Sequence, residues 1–296
     1  MSSILTNYGA MVALQNLQAT QRSLTETQNH ISSGLKVATA RDDASSWTIA
    51  STMKSNVASL NQVSQDLGNA DSILGTAVSG ATQITNLVSS IRAKVASFTD
   101  TSANQSAIQS EVTQMVNQIG ATIHSSAFNG VNLLNSSQPN GLVFLAATNN
   151  DYTATGGGTS PTIATGAAVD LSSGGTDTAV SDFYSLVGGL AAAISDTDPA
   201  TQQTNLDAAL AKVDAFNTAV QGQAAQFGAV QQNVQSQKTF VTNLANAMSQ
   251  GVSNMIDADM TAESARLSAL QTQQQLGTQA LSIANQAPQM ILKLFG

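Results

Sequence analysis

Residues 60–98 read LNQVSQDLGNADSILGTAVSGATQITNLVSSIRAKVASF. Stepping along them alternately by three and four residues lands on Leu60, Val63, Leu67, Ala70, Leu74, Ala77, Ala81, Ile84, Val88, Ile91, Val95 and Phe98, all apolar. A spacing averaging about 3.5 residues, held this long, keeps one seam of a helix facing a partner helix throughout. The stretch therefore predicts a long coiled-coil-like helix and a mainly α chain.

Later in the chain a seven-residue step repeats the message with Leu206, Val213, Val220, Phe227, Val234, Val241, Met248 and Met255. Leu210, Phe216, Val230, Leu244 and Val252 are expected to widen that stripe on the same side, while Asn217, Gln231 and Lys238 break it. The expected seam of the long helices is then Leu60, Leu67, Leu74, Ile84, Val88, Ile91, Val213, Val220, Phe227, Val234 and Val241. A shorter stripe, Ile108, Val112, Met115, Ile119 and Ile123, closes at Phe128-Asn129-Gly130, where Asn-Gly signals a turn.

The chain ends carry helical patterns of their own. Ala10, Leu17, Leu24 and Ile31 recur every seven residues, flanked by Leu14 and Leu35, with Gln21 and Gln28 interrupting the flank. So narrow a stripe needs a partner helix. At the other end Leu267, Leu270, Leu281, Ala284 and Ile291 form one row, and Leu276, Ala280, Ile283, Ala287, Met290 and Leu294 form another beside it. A helix over 264–294 would be apolar over a wide arc and expects neighbours on several sides, with Pro288 bending or fraying its last turn. The stretch 135–200 differs, holding Gly156-Gly157-Gly158, Gly174-Gly175, Pro139, Pro161 and Pro199, with Leu142 to Ala147 a short extended candidate. It reads as hairpins and loops. Long helices at both ends with an irregular insert between them suggest paired ends, an insert at the far tip and an elongated rod.

Composition narrows the function. With 42% hydrophobic residues the 296-residue chain buries a core, but 4% aromatic and 9% charged residues fit neither a compact β-sandwich nor an ordinary α/β enzyme. The net charge is −8, and no Lys or Arg lies between Lys94 and Lys212, so no basic face is available for nucleic acid. Cysteine is absent, which rules out disulfides and thiolate metal sites. The opening MSSILTNYGAMVALQNLQATQ carries no basic side chain before Arg22, unlike a signal peptide, and no apolar run is long enough to cross a membrane. Export, if it occurs, would use a route without a cleaved signal.

Catalytic chemistry is equally hard to place. His30 and His124 are the only histidines, and neither sits in a metal-ligand pair or an HExxH stretch. No serine lies in a GxSxG elbow, and the glycine triplet lacks the Lys-Ser/Thr of a phosphate loop. Asp42 and Asp43 are adjacent, so on a helix they would diverge rather than share a proton, and Arg41 beside them suggests local ion pairing or helix-end chemistry. No catalytic constellation emerges, and the reading is a protein that is not an enzyme and takes no cofactor.

Several stretches in order resemble bacterial flagellin. ILTNYGAMVALQNL at the start resembles that family's opening segment; His30-Ile31-Ser32-Ser33-Gly34-Leu35-Lys36-Val37 is similar to its LSSGLRI signature, and Ala40-Arg41-Asp42-Asp43-Ala44 to the AxDDAAG that follows. Phe128-Asn129-Gly130-Val131 with Leu133-Leu134 resembles the turn closing its second trunk helix, and Asp257–Glu263 with LSALQTQQQLGTQALSIANQAPQMILKLF resembles its C-terminus. The similarity covers roughly 1–135 and 205–296.

The resemblance implies an N-terminal inner-core helix over 1–42, a connecting spoke over 43–56 with Arg41, Asp42 and Asp43 at its start, and trunk helices over 57–134. A variable, surface-exposed β/loop insert would follow over 135–204, then a C-terminal trunk helix over 205–253 and an inner-core helix over 254–296. It also implies that Leu14, Leu17, Leu24, Ile31, Leu35, Leu267, Leu270, Leu276, Leu281, Ile283, Ile291 and Leu294 form the inner-core polymerisation interface. Partners would be other flagellin subunits, sibling flagellins among them, together with the filament cap, hook-associated proteins, the flagellar type III export apparatus and an export chaperone. The product would be an extracellular flagellar filament built for motility.

Ser45-Ser46-Trp47 departs from the Gly-Leu common after the acidic pair, and Ala93 replaces the acidic residue usual beside the counterpart of Arg92 in the stretch read by vertebrate innate receptors, which predicts weak or absent receptor activation. Serines and threonines within 136–195 are candidates for O-linked sugars. Two rival readings share parts of this pattern: a hook–filament junction protein, and a cytoplasmic chemoreceptor-like signalling hairpin, against which the glycine-rich insert argues.

Overall fold

The structure, a computed structural model, describes residues 7–99, 105–135, 143–145, 162–164, 171, 180–186, 190 and 198–295. The described chain is mainly α. Helices α1 (Tyr8–Ser33), α2 (Ala44–Ala96) and α3 (Gln105–Ser125) are followed by short strands β1 (Ala127–Phe128), β2 (Val131–Asn132), β3 (Val143–Leu145) and β4 (Thr162–Ala164). A short helix, α4, covers 180–186, and α5 (Pro199–Ile256) and α6 (Met260–Phe295) complete the order. The chain divides into two units, 58–245 and 1–57 with 246–296.

In the 58–245 unit all twelve seam positions from Leu60 to Phe98, eleven on α2 and Phe98 in the 3-10 turn Ser97–Thr99 that follows it, are buried, none more than 4% exposed. On α5, Leu206, Ala209, Val213, Phe216, Val220, Phe227, Val234, Val241 and Ala245 are buried. Strict three-and-four stepping would reach Leu244, but the residue buried after Val241 is Ala245, while Leu244 is 37% exposed, as its neighbour Phe240 is exposed. Leu244 therefore does not widen the seam as its apolar character suggested. Gln223 occupies a buried seam step that a search for apolar residues passes over. Each fully buried Leu or Phe contributes about 1.5–3 kcal/mol over exposure, so the seam dominates this unit's stability.

From α3, Val112, Val116, Ile119 and Ile123 are buried, and the chain then turns through an antiparallel β1–β2 hairpin. Its two loop residues, Asn129 (φ 50°) and Gly130 (φ 81°), are both left-handed, as a tight hairpin loop with native strand twist requires. The buried Asn132 side chain donates to the Ile123 carbonyl (2.6 Å) and accepts from the Leu134 amide (2.8 Å), fixing the hairpin to the end of α3. Gly80 makes room for the far side of this arrangement. A Cβ there would collide with the Ser126 hydroxyl and lie 2.8 Å from Leu134 Cδ1.

The middle of the chain is not all hairpin and loop. β3 and β4 pair antiparallel, but 180–186 is helical, and Val180, Phe183, Leu186 and Leu190 are buried. Phe183 stacks on Phe216 of α5 at a ring separation of 4.0 Å, and the Tyr184 hydroxyl donates to the Leu171 carbonyl. The spacing of those four residues is helical, yet too short to stand out among serines and glycines. Of the Ser/Thr residues within 136–195, all but Thr162, Ser181 and Ser185 lie outside the described residues. Asp198 starts α5 by accepting from the Ala200 amide and the Thr201 hydroxyl, so the helix begins at Pro199, earlier than position 205.

In the other unit α1 and α6 pack along each other, and a small core of Val37, Ala50, Val252 and Ile256 forms with Leu35, Met53 and Met255 around it. α6 continues past Pro288 to Phe295.

Candidate assembly surface

Asn7 opens α1: its Oδ1 accepts from the Ala10 amide (3.0 Å), while its Nδ2 donates to the Ala284 carbonyl of α6 (2.7 Å). Leu17 lies against Gly277, where a Cβ would come within 3.2 Å of Leu17 Cδ1. Gln274 donates to Gln21 (2.7 Å), and His30 Nδ1 lies 3.2 Å from Glu263 Oε1. Numbers rise on one helix as they fall on the other, so the pair is antiparallel.

Burial inside this pair is thin. Along α1 only Leu24 and Thr27 are buried, and along the described side chains of α6 only Leu270 is. Leu17, Ile31, Leu35, Leu267 and Leu281 are half-buried. The outward side is apolar as well. Tyr8 (74% exposed), Met11 (61%) and Leu14 (44%) stand on α1, and Leu276 (58%) and Ile283 (69%) on α6. The expected interface residues thus separate into an inner set, centred on Leu24 and Leu270, and an outer set of Leu14, Leu276 and Ile283. Side chains beyond 286, Ile291 and Leu294 among them, lie outside the described residues.

At the far end of α1, Gly34 takes the left-handed conformation (φ 73°) and returns its amide to the His30 carbonyl, a helix stop that favours glycine. The next residues pair with the α5–α6 link: Lys36 N donates to Ile256 O (2.8 Å), Ala258 N donates to Gly34 O (2.9 Å), and Leu35 bridges Asp257.

The acidic pair that follows does helix-end work, with the two carboxylates serving different turns. Asp42 Oδ2 accepts from the amides of Ala38 and Thr39 and from the Thr39 hydroxyl, closing the turn after α1. Asp43 caps α2, taking the Ser45 and Ser46 amides on Oδ1 and the Ser46 hydroxyl on Oδ2. The Thr39 amide chiefly holds the Asp42 carboxyl below its ordinary range, and the Ser46 hydroxyl does the same for Asp43. Arg41 is exposed and lines an open polar cleft of 1330 Å³ with Arg22, Glu26, His30 and Asp42. Trp47 is partly exposed and lines a small hollow with Leu35, Val37, Ala50 and Ile256.

No group of three or more metal-ligating side chains gathers among the described residues, and no described helix is long and apolar enough to cross a membrane. The built features of this unit are a thinly buried helix pair and large apolar side chains exposed on both of its helices.

Residues 4–139 match the family model for the bacterial flagellin N-terminal helical region, and residues 210–295 match that for the C-terminal helical region. Over its whole length the chain is 38% identical to a flagellin of Brucella melitensis biotype 1, 99% of which is covered. It is 34% identical to flagellin C of Rhizobium meliloti, again over the whole chain and 99% of that protein. Flagellin FljM of Caulobacter vibrioides, also 34% identical, is covered to the same extents.

Proposed function

The chain belongs to the bacterial flagellin family and is a structural subunit of the flagellar filament, and we propose that it polymerises through the apolar outer face of its α1–α6 pair. The observation that carries this reading is the exposure of Tyr8, Met11, Leu14, Leu276 and Ile283 on a pair that buries so little internally. Large apolar side chains left exposed on a helix pair mark surface that another protein covers. A helical polymer covers it with identical neighbours through head-to-tail contacts. The inner residues Leu17, Leu24, Ile31, Leu35, Leu267, Leu270 and Leu281 hold the pair together, and the outer ones meet the next subunit. In this reading 1–42 and 254–296 are the inner layer, 43–56 the connection started by Arg41, Asp42 and Asp43, 57–134 and 205–253 the trunk, and 135–204 the exposed insert.

Membership of the family also supports passage through the flagellar type III export route, addition under a filament cap above hook-associated proteins, and an extracellular destination. O-linked sugars on 136–195 belong to the same reading. Neither a hook–filament junction role nor a chemoreceptor-like hairpin finds support in the relatives, which are flagellins over their full lengths.

The test is electron microscopy of purified protein seeded with short filament fragments. The unchanged chain is expected to elongate the seeds, and the double variant Leu276→Asp, Ile283→Asp to leave them bare while circular dichroism of the monomer stays the same. Filaments of normal length from the double variant would refute the assignment of the interface.

A further inference from the structure

The heptad seam of α2 and α5 explains why the two helices pair but not why they pair in one register. Its steps are filled by interchangeable Leu, Val, Ile and Ala, so a slip of seven residues, about 10 Å along the axis, would again place apolar residues against apolar residues.

One flank of the seam is less forgiving. Ser64 Oγ meets Thr242 Oγ1 at 3.3 Å, Gln235 donates to Asp71 at 3.0 Å, and Arg92 pairs with Asp214 at 2.7 Å. Gly68 faces the Lys238 ammonium, and Gly75 faces the Gln231 amide, where a Cβ would lie 3.4 and 3.3 Å from those nitrogens. In all five pairs the two residue numbers add to 306, so contacts spread over 28 residues of α2, from 64 to 92, report one antiparallel register. Gln231 adds a second amide to Asp71 at 2.8 Å.

We propose that this flank, in which Asp71 gathers the amides of Gln231 and Gln235 while Gly68 and Gly75 receive Lys238 and Gln231, is the element that selects the register of α2 against α5. Shifted by seven residues one way, Lys238 would face Asn61 instead of a glycine, and Asp71 would face Gly228, which has no side-chain donor. Shifted the other way, Gln231 would face Thr82, and Gly68 would face Ala245. Only the observed register sets both long polar side chains over glycines while giving Asp71 two amide donors; the second shift would offer it the Thr242 hydroxyl and the Lys238 ammonium but would take Gln231 off its glycine. The Gln231–Asp71 contact is half-buried and the other hydrogen bonds of the flank are exposed; polar contacts beside an apolar seam are a known means of choosing one alignment among near-equals.

The chain has no cysteine, so spin labels can be placed cleanly on exposed Gln65→Cys and Gln221→Cys of the intact protein. In the observed register these sites are offset by about 30 Å along the helices, and a heptad slip gives about 20 or 40 Å. Pulsed electron paramagnetic resonance should find a single distance in the otherwise unchanged chain. It should find added populations near the slipped distances when Asp71, Gln231, Gln235 and Lys238 are all replaced by Leu, the slipped fraction rising about tenfold for the loss of two charge-assisted hydrogen bonds. Asp71→Asn, which keeps an acceptor for both amides, should show the single distance. A single native distance in the four-leucine variant would mean that the apolar seam chooses the register alone and would overturn the proposal. Loss of helicity in that variant would overturn it too, because the flank would then hold the fold together rather than choose among alignments.

Discussion

The 58–245 unit and the α1–α6 pair are both made of long helices with apolar stripes, yet they finish their burial differently. In the first, every seam residue from Leu60 to Phe98 has a neighbour within the same chain. In the second, Leu24 and Leu270 are enclosed while Tyr8, Met11, Leu276 and Ile283 remain on the outside. An identical kind of pattern thus produces a self-sufficient body in one place and an unfinished one in the other. The difference lies in the number of partner helices each stripe meets. A wide apolar arc with a single intrachain neighbour leaves the rest of the arc for another molecule.

Substitutions can break this contrast in a graded way. Phe227→Ala should cost the most, about 3–5 kcal/mol of unfolding free energy in urea, because a fully buried aromatic side chain leaves a cavity in the self-sufficient unit. Gly80→Ala should cost about 1–3 kcal/mol in the same measurement, since the added methyl group meets Ser126 and Leu134 in a packed position. If instead it raised stability, the docking of the β1–β2 hairpin against α2 would be looser than described.

Ile283→Asp alone should change monomer stability by under about 0.5 kcal/mol, as for other exposed sites, while slowing seeded elongation. A large loss of monomer stability would show that the outer face is already covered within the chain.

The smallest effect concerns pH. Asp42 and Asp43 titrate below their ordinary value of 3.8 because turn amides and hydroxyls bond the charged form. A depressed folded-state value stabilises the fold at pH above the ordinary carboxylate range, and that contribution disappears as pH falls through the folded-state values. Asp43→Asn should therefore melt earlier than the unchanged chain at neutral pH, and the two melting curves should converge in acid once pH has fallen through the lowered folded-state value.

Much of this arrangement was legible in the amino-acid sequence, because periodicity speaks directly about burial. All eleven expected seam residues, from Leu60 to Val241, are buried. The Asn129-Gly130 turn also followed from local chemistry, and of the two roles left open for Asp42 and Asp43, ion pairing with Arg41 and helix-end chemistry, their hydrogen bonds show the second. Periodicity says that a face will be covered without saying by what, and so Leu24 and Ile283 looked equivalent although one faces α6 and the other faces outward. It also passes over Gln223, whose burial in the seam contradicts its polarity, and over 180–186, where a single helical turn or two is too short to register. The setting of Lys238 and Gln231 against Gly68 and Gly75 was hidden for another reason. Gln231 and Lys238 looked like breaks in their own stripe, and only the pairing with Gly75 and Gly68 turns them into a fit.

The hydrogen bond from Asn7 to Ala284 spans 277 residues, and the bridge from Leu35 to Asp257 closes the same circuit lower down. Contacts so distant along the chain form late and slowly, since each must wait for its far partner. A growing or emerging chain can therefore complete the 58–245 unit before the α1–α6 pair has formed. If self-association runs through that pair, as proposed above, the pairing of α6 with α1 acts as a clock on it.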